Sequence, residues 1–168
     1  MRKICIISLI LFLLAGCNLF WQKYTNQKYN FSLLLPSSWS KEELSNVALI
    51  AKSPLENKGD RYPENINVVV TELPEQVSLG TFYELNREEL LRNLPGAYEL
   101  QEGSAFAGLL PGKKFSFVTK IKEFTLRMTS VVFRKGKHFY VLTYAYEVGK
   151  DTKFEPIFGK IVSSFRAK

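Results

Sequence analysis

Every odd position from Tyr29 to Leu35 is apolar, and the positions between are polar until Leu34. This period of two predicts a strand with one buried face, ended by Pro36-Ser37-Ser38. Trp39 follows the turn and is expected to fold back on the core. Residues 47–51 form an apolar run of strand length, 54–64 a polar loop with Gly59 and two prolines, and 66–71 a β-branched strand. From Ser78 to Leu94 the period changes. Leu79, Phe82, Tyr83, Leu90, Leu91 and Leu94 share one side of a helix, with Glu88 and Arg92 opposite. Ser78 suits the N-cap, and Pro95-Gly96 ends the helix. Tyr98 and Leu100 then alternate with Glu99 and Gln101 as an edge strand, and three strand-like runs follow Pro111-Gly112, over 115–121, 124–133 and 139–148.

The last run has cover on both sides. Tyr140, Leu142, Tyr144 and Tyr146 form one face, and Phe139, Val141, Thr143 and Ala145 the other, as in a central strand. Lys135-Gly136 suits a two-residue turn with glycine supplying positive φ. That turn sets Val131 opposite Tyr140, Thr129 opposite Leu142 and Arg127 opposite Tyr144. A second helix is expected over 155–166, with Pro156 at its first position and an apolar stripe of Ile157, Phe158, Ile161, Val162 and Phe165. Strands in hairpin order with one helix per face predict an α+β fold, a three-layer α/β/α sandwich on a central, mainly antiparallel sheet.

The start of the chain has another character. Arg2 and Lys3 precede an uncharged apolar run from Ile4 to Ala15. A basic segment, a short apolar segment and small residues make an export signal. A helix over that run reaches about 20 Å, short of the roughly 30 Å hydrocarbon core of a bilayer. Leu14-Ala15-Gly16-Cys17 resembles the lipobox of bacterial lipoproteins, in which the cysteine takes a diacylglyceryl group and the peptide is cut before it. The plain alternative is an unmodified cysteine behind an ordinary signal. The expected division is a signal peptide over 1–16, the lipid-bearing Cys17 with a short tether over 17–23, and one domain over 24–168. Phe20 and Trp21 would then sit near the headgroups. By the lipoprotein resemblance, Asn18 rather than an aspartate implies the outer membrane, on its periplasmic face, if the host is diderm.

With Cys5 removed and Cys17 a thioether, the domain has no thiol for a disulfide, a nucleophile or a zinc site. The whole chain carries 23 basic and 16 acidic residues, so loss of Arg2 and Lys3 leaves 21 against 16, or +5. The lysines are scattered (Lys113, Lys114, Lys120, Lys122, Lys135, Lys137), which argues against a nucleic-acid surface. At 46% hydrophobic and 14% aromatic residues, the chain can bury a full core.

Four stretches together resemble the PsbP/Mog-like domains: Tyr29-x-Phe31-x-Leu33-x-Leu35-Pro36-x-x-Trp39, Asn67-Val68-x-Val70, Gly136-Lys137-x-x-Tyr140-x-Leu142-Thr143-Tyr144, and Ile161-Val162-x-Ser164-Phe165. The likeness runs from Tyr24 to Phe165. It implies the same three-layer sandwich, and a protein that acts by docking to other proteins, as extrinsic photosystem subunits, a nuclear-transport factor and bacterial lipoproteins of the family do. Some photosystem members hold metals through histidines. This chain has one histidine, so no metal and no other cofactor are expected.

Candidate chemistry is sparse. His138 stands beside the hairpin turn, where a half-exposed strand-end residue is ordinary. Glu42-Glu43 and Glu88-Glu89 are adjacent pairs whose side chains diverge. Residues 108–114 lack the Gly-Lys-Ser/Thr ending of a phosphate loop and read as a hairpin loop. Arg127 is the unusual residue, a mid-strand charge on the face of Tyr140, Tyr144 and Tyr146. Either its guanidinium snorkels past a helix edge to water, or the four residues form an aromatic–arginine surface for a partner. The expected function is a non-enzymatic, membrane-anchored envelope lipoprotein that docks to an envelope protein. The alternative is a small-ligand carrier with a cleft between sheet and helix.

Overall fold

The computed structural model describes residues 20–94 and 96–168. The expected export signal, Cys17, Asn18 and the expected helix stop at Pro95 lie outside the described residues. In chain order the elements are β1 (Trp21–Asn26), β2 (Phe31–Pro36), β3 (Ser40–Leu44), β4 (Val47–Lys52), β5 (Asn65–Glu72), α1 (Leu79–Asn93), β6 (Tyr98–Ala107), β7 (Leu110–Ile121), β8 (Phe124–Lys135), β9 (His138–Glu147), α2 (Asp151–Ser164) and β10 (Arg166–Ala167). Seven strands form an open sheet in the order β3-β4-β5-β9-β8-β7-β6, and three form a second sheet in the order β1-β2-β10. All the pairings are antiparallel.

The pleat of the large sheet sorts its residues into two cores. Val131 and Phe133 of β8 and Tyr140, Leu142, Tyr144 and Tyr146 of β9 pack with Ile157, Phe158 and Ile161 of α2 and with Phe31, Leu33 and Leu35 of the small sheet. Phe115, Phe117, Val132 and Val141 point to the other face, under Tyr83, Phe82 and Leu90 of α1. The helices thus cover opposite faces, as the periodicity predicts. The alternating strand at Phe31–Pro36 keeps its odd positions buried, but it belongs to the small sheet beside α2, not to the central one. There Ser164 of α2 accepts the Leu34 amide at 2.8 Å. The small sheet also reaches back to Trp21, paired with Pro36, so the folded domain begins before Tyr24.

Three sequence readings are corrected. The β8–β9 turn is Gly136-Lys137, with φ +58° at Gly136, and not Lys135-Gly136. Glycine at the first central position with an ordinary second residue is the type II′ pattern. The register therefore shifts by two: Val131 faces Leu142, Thr129 faces Tyr144 and Arg127 faces Tyr146. A shift of two preserves the faces, so the grouping of side chains stands. The second helix starts at Asp151, which puts Pro156 inside it rather than at its first position. Pro156 and Thr152 are both exposed, so water can serve the carbonyl that the proline leaves without an amide. Finally, Pro111 and Gly112 lie inside β7, and the hairpin loop is reduced to Gly108-Leu109. A Cβ at Gly112 would stand 2.6 Å from the Phe133 ring, so only glycine lets β7 pass that ring. Phe133 in turn stacks on Phe165 with centroids 5.3 Å apart.

Candidate functional site

Arg127 and the tyrosines are brought together, but not as a surface. Tyr140, Tyr144 and Tyr146 are buried beneath α2 and the small sheet. Tyr144 stacks on Phe158 with centroids 4.4 Å apart, and Tyr140 donates to the Tyr29 carbonyl at 3.1 Å. An exposed aromatic–arginine patch is therefore excluded, because the helix fills the space a partner would need. Arg127 has two carboxylate partners: its Nε donates to Asp151 at 3.1 Å and its Nη2 to Glu99 at 3.1 Å. Its side chain keeps 20% of its surface, since the pair is made at the edge of α2. The Tyr146 hydroxyl donates to Glu155 at 2.7 Å.

These contacts set the local charges. Burial pushes the Tyr146 hydroxyl well above the usual range, and the Glu155 hydrogen bond adds to it. Burial likewise raises Tyr144, to about 12. Burial works against the Arg127 charge, yet the hydrogen bond to Glu99, the neighbouring Tyr146 and the Asp151 carboxylate outweigh it. A polar recess of about 250 Å³ opens beside this cluster, lined by Lys114, Ser116 and Thr129 together with the residues above. Among the described residues no buried side-chain polar atom lacks a partner. The cluster is an electrostatic clasp between α2, β6 and β8.

The other face is less completely covered. α1 packs on β7 and β8. Ser78 accepts the Thr81 amide at 3.0 Å and so fixes where the helix begins. The face of β5 that carries Asn67, Val69 and Thr71 is left beside the helix as a groove of about 630 Å³. Val69, Val141 and Met128 form its floor, and Phe82, Leu85 and Leu90 of α1 its wall. Asn86, Asn93, Asn67, Thr71 and Thr143 place amides and hydroxyls around that apolar surface. Glu89 is the ionisable residue among those lining it. The alternation in β5 was legible, but which part of the sheet α1 leaves open was not.

A third cluster was not foreseen. Lys150 Nζ lies 2.7 Å from Glu64, 3.2 Å from Asp60, 3.3 Å from Glu56 and 3.4 Å from Glu147. Glu64 and Asp60 are deeply buried, and Ser53 donates to Glu64 at 3.1 Å. The sequence signal was the spacing of Glu56, Asp60 and Glu64 at every fourth residue in a loop. Among the described residues no group of histidine, cysteine or carboxylates is arranged to hold a metal. His138 opens β9, half-exposed, with Nε2 3.6 Å from Glu72.

No protein-family model matches the chain, and no curated protein matches it. Solved structures do. Cyanobacterial PsbP (CyanoP) from Synechocystis sp. PCC 6803 superposes with a TM-score of 0.67 at 12% identity, over 88% of this chain and 92% of that one. LpqN, involved in cell envelope biogenesis of Mycobacterium tuberculosis, gives 0.60 at 15% identity, over 87% and 89%. A variant of Mog1 gives 0.61 at 8% identity, over 88% and 96%. The chain has the PsbP/Mog-like fold. At such identities the PsbP/Mog-like likeness is one of architecture, and function has to be argued from this chain's own surfaces.

Proposed function

We propose that the chain is a non-enzymatic, lipid-anchored accessory module of the cell envelope that docks a partner protein in the groove between α1 and β5. The groove is the observation that carries the reading. It sets an apolar floor beside amides and hydroxyls on a rigid sheet, with Glu89 to receive one basic residue. The partner segment it suits is apolar with a single positive charge. Leu14-Ala15-Gly16-Cys17 supports the anchor, and the involvement of LpqN in cell envelope biogenesis supports the compartment. The internal pairing of the Arg127 cluster supports a structural rather than a catalytic use of its charges. The groove's volume also falls in the range of small-ligand pockets, about 300–1,000 Å³, which favours the carrier as a second reading.

A photo-crosslinking amino acid in place of Asn93, an exposed residue lining the same groove, in the full chain in its native membranes, tests the two. A defined protein adduct supports docking. A co-purifying small molecule that blocks crosslinking supports the carrier. Mass spectrometry of the N-terminal peptide tests the anchor: acyl mass on Cys17, lost in Cys17→Ala, is expected, and an unmodified Cys17 overturns it.

A further inference from the structure

We propose that two copies of this chain pair edge to edge through β6, antiparallel about Gly103, so that one sheet runs through both. β6 ends the seven-stranded sheet. One side of its backbone bonds to β7, and no strand lies along the other among the described residues. Proteins blunt open edges with charge, shortness, proline or bulges. The opposite edge is blunted in this way: β3 has five residues, carries Lys41, Glu42 and Glu43, and has a register shift between Glu42 and Leu44. β6 has ten residues with neither proline nor lysine, and its one irregularity lies at its start, between Tyr98 and Gln101. Three large apolar side chains stand exposed on it: Leu100 at 46%, Phe106 at 62% and, at its start, Tyr98 at 48%.

The pleat decides how such an edge can pair with itself. Ala105 and Ala107 are buried in the core on the α2 side, which puts Gln101 and Gly103 on that side too. Leu100, Glu102, Ser104 and Phe106 therefore point to the α1 side, and Arg87 of α1 reaches Glu102 at 3.4 Å. A twofold axis normal to the sheet maps each face onto itself, so the axis must pass through a residue. Centred on Glu102, it sets two like charges against each other. Centred on Gln101 or on Ser104, it sets a carboxylate against Leu100 or Phe106. Centred on Ala105, it leaves Phe106 against Ser104. Centred on Gly103, it places Leu100 opposite Phe106 of the second copy twice, and Glu102 opposite Ser104. Glu99 and Glu102 keep their own cations, Arg127 and Arg87. This register alone joins Leu100 to Phe106 and separates the acids. The strand supplies its own complement, which points to a second copy rather than to an unrelated peptide. The pairing uses neither the lipid nor the α1 groove.

Gly103→Cys in the full chain, purified in mild detergent and lightly oxidised, is the test. A Cβ at this position meets only the flexible Lys114 side chain, at 3.4 Å, so the variant is tolerated. The expected product on a non-reducing gel is a disulfide-linked species of twice the mass. The parent chain, with Cys5 and Cys17 unchanged, gives the background. Leu100→Lys in the Gly103→Cys chain is expected to cut the linked species at least tenfold without moving the melting temperature. Absence of the linked species while the Gly103→Cys thiol remains reactive overturns the proposal. Equal linking from Glu102→Cys, or an adduct with a different protein in membranes, overturns it as well.

Discussion

The Lys150 ammonium lies 2.7 Å from Glu64, a residue 86 positions earlier in the chain, and it is also within salt-bridge reach of Glu56, Asp60 and Glu147. Lys150 thus ties three acids of the loop between β4 and β5 to the start of α2, where Lys153 holds Glu56 a second time. Removing Lys150 leaves the fully buried Glu64 and the nearly buried Asp60 as uncompensated charges. Lys150→Met is expected to cost about 3–5 kcal/mol, read from the urea midpoint. Adding Glu64→Gln to that variant should recover part of the loss. A cost below about 1 kcal/mol would show that the Lys150 cluster is hydrated and adds little to stability.

Stability is expected to fall steeply in alkali, with no loss in the neutral range. Burial raises Tyr144 to about 12 and raises Tyr146 and Tyr140, and the surrounding carboxylates raise Lys150 against its own desolvation. All four folded values lie above the unfolded ones. Their contribution is complete below pH 10, where both states hold the proton. It is lost as the pH climbs through the folded values, because the unfolded chain releases first. At about 1.4 kcal/mol per unit, Tyr144 alone accounts for on the order of 2–3 kcal/mol by pH 12. Denaturation followed by circular dichroism from pH 7 to 11.5 should be flat to about pH 10 and then decline. A decline that begins near neutrality would contradict these assignments.

Periodicity carried the fold a long way because the core is patterned. Tyr140 to Tyr146 announced a strand with two covered faces, Ser78 a helix start, and Ile157 to Phe165 a stripe for one face of the sheet. What escaped were features fixed by geometry over distance. Nothing local distinguishes Gly136-Lys137 from Lys135-Gly136 as a turn, since both contain the required glycine. The charged β3 resembles a loop, because an edge strand can be polar on both sides. The separate small sheet depends on β1 pairing back onto β2, a contact that periodicity does not encode. Arg127 was legible as unusual. Its meaning was not, because its partners Glu99 and Asp151 come from other elements.

Phe158 is fully buried where four aromatic rings converge: Trp39 at 5.6 Å, Tyr144 at 4.4 Å, Tyr146 at 6.1 Å and Phe154 at 6.2 Å. The surrounding rings belong to α2, β9 and the turn after β2, and they cannot close over the lost volume together. Phe158→Ala should cost about 3–5 kcal/mol by chemical denaturation, with the transition still cooperative. A cost near zero would mean that α2 does not pack on the sheet as described.

The two faces can be separated by pairing a stability measurement with a binding one. Leu85 lies on the α1 wall of the groove and is 58% exposed. Leu85→Lys removes no buried contact, so its effect on stability should stay within about 0.5 kcal/mol. It should nevertheless abolish the crosslinked partner adduct, because it sets a positive charge where the partner's own basic residue meets Glu89. Arg127→Ala should do the reverse. It breaks hydrogen bonds to Glu99 and Asp151 on the opposite side of the sheet, at a cost of about 1.5–3 kcal/mol, with the adduct retained at temperatures where the variant is folded. If Arg127→Ala loses the adduct while its melting temperature is unchanged, and Leu85→Lys keeps it, the docking surface lies on the α2 side and the groove reading fails.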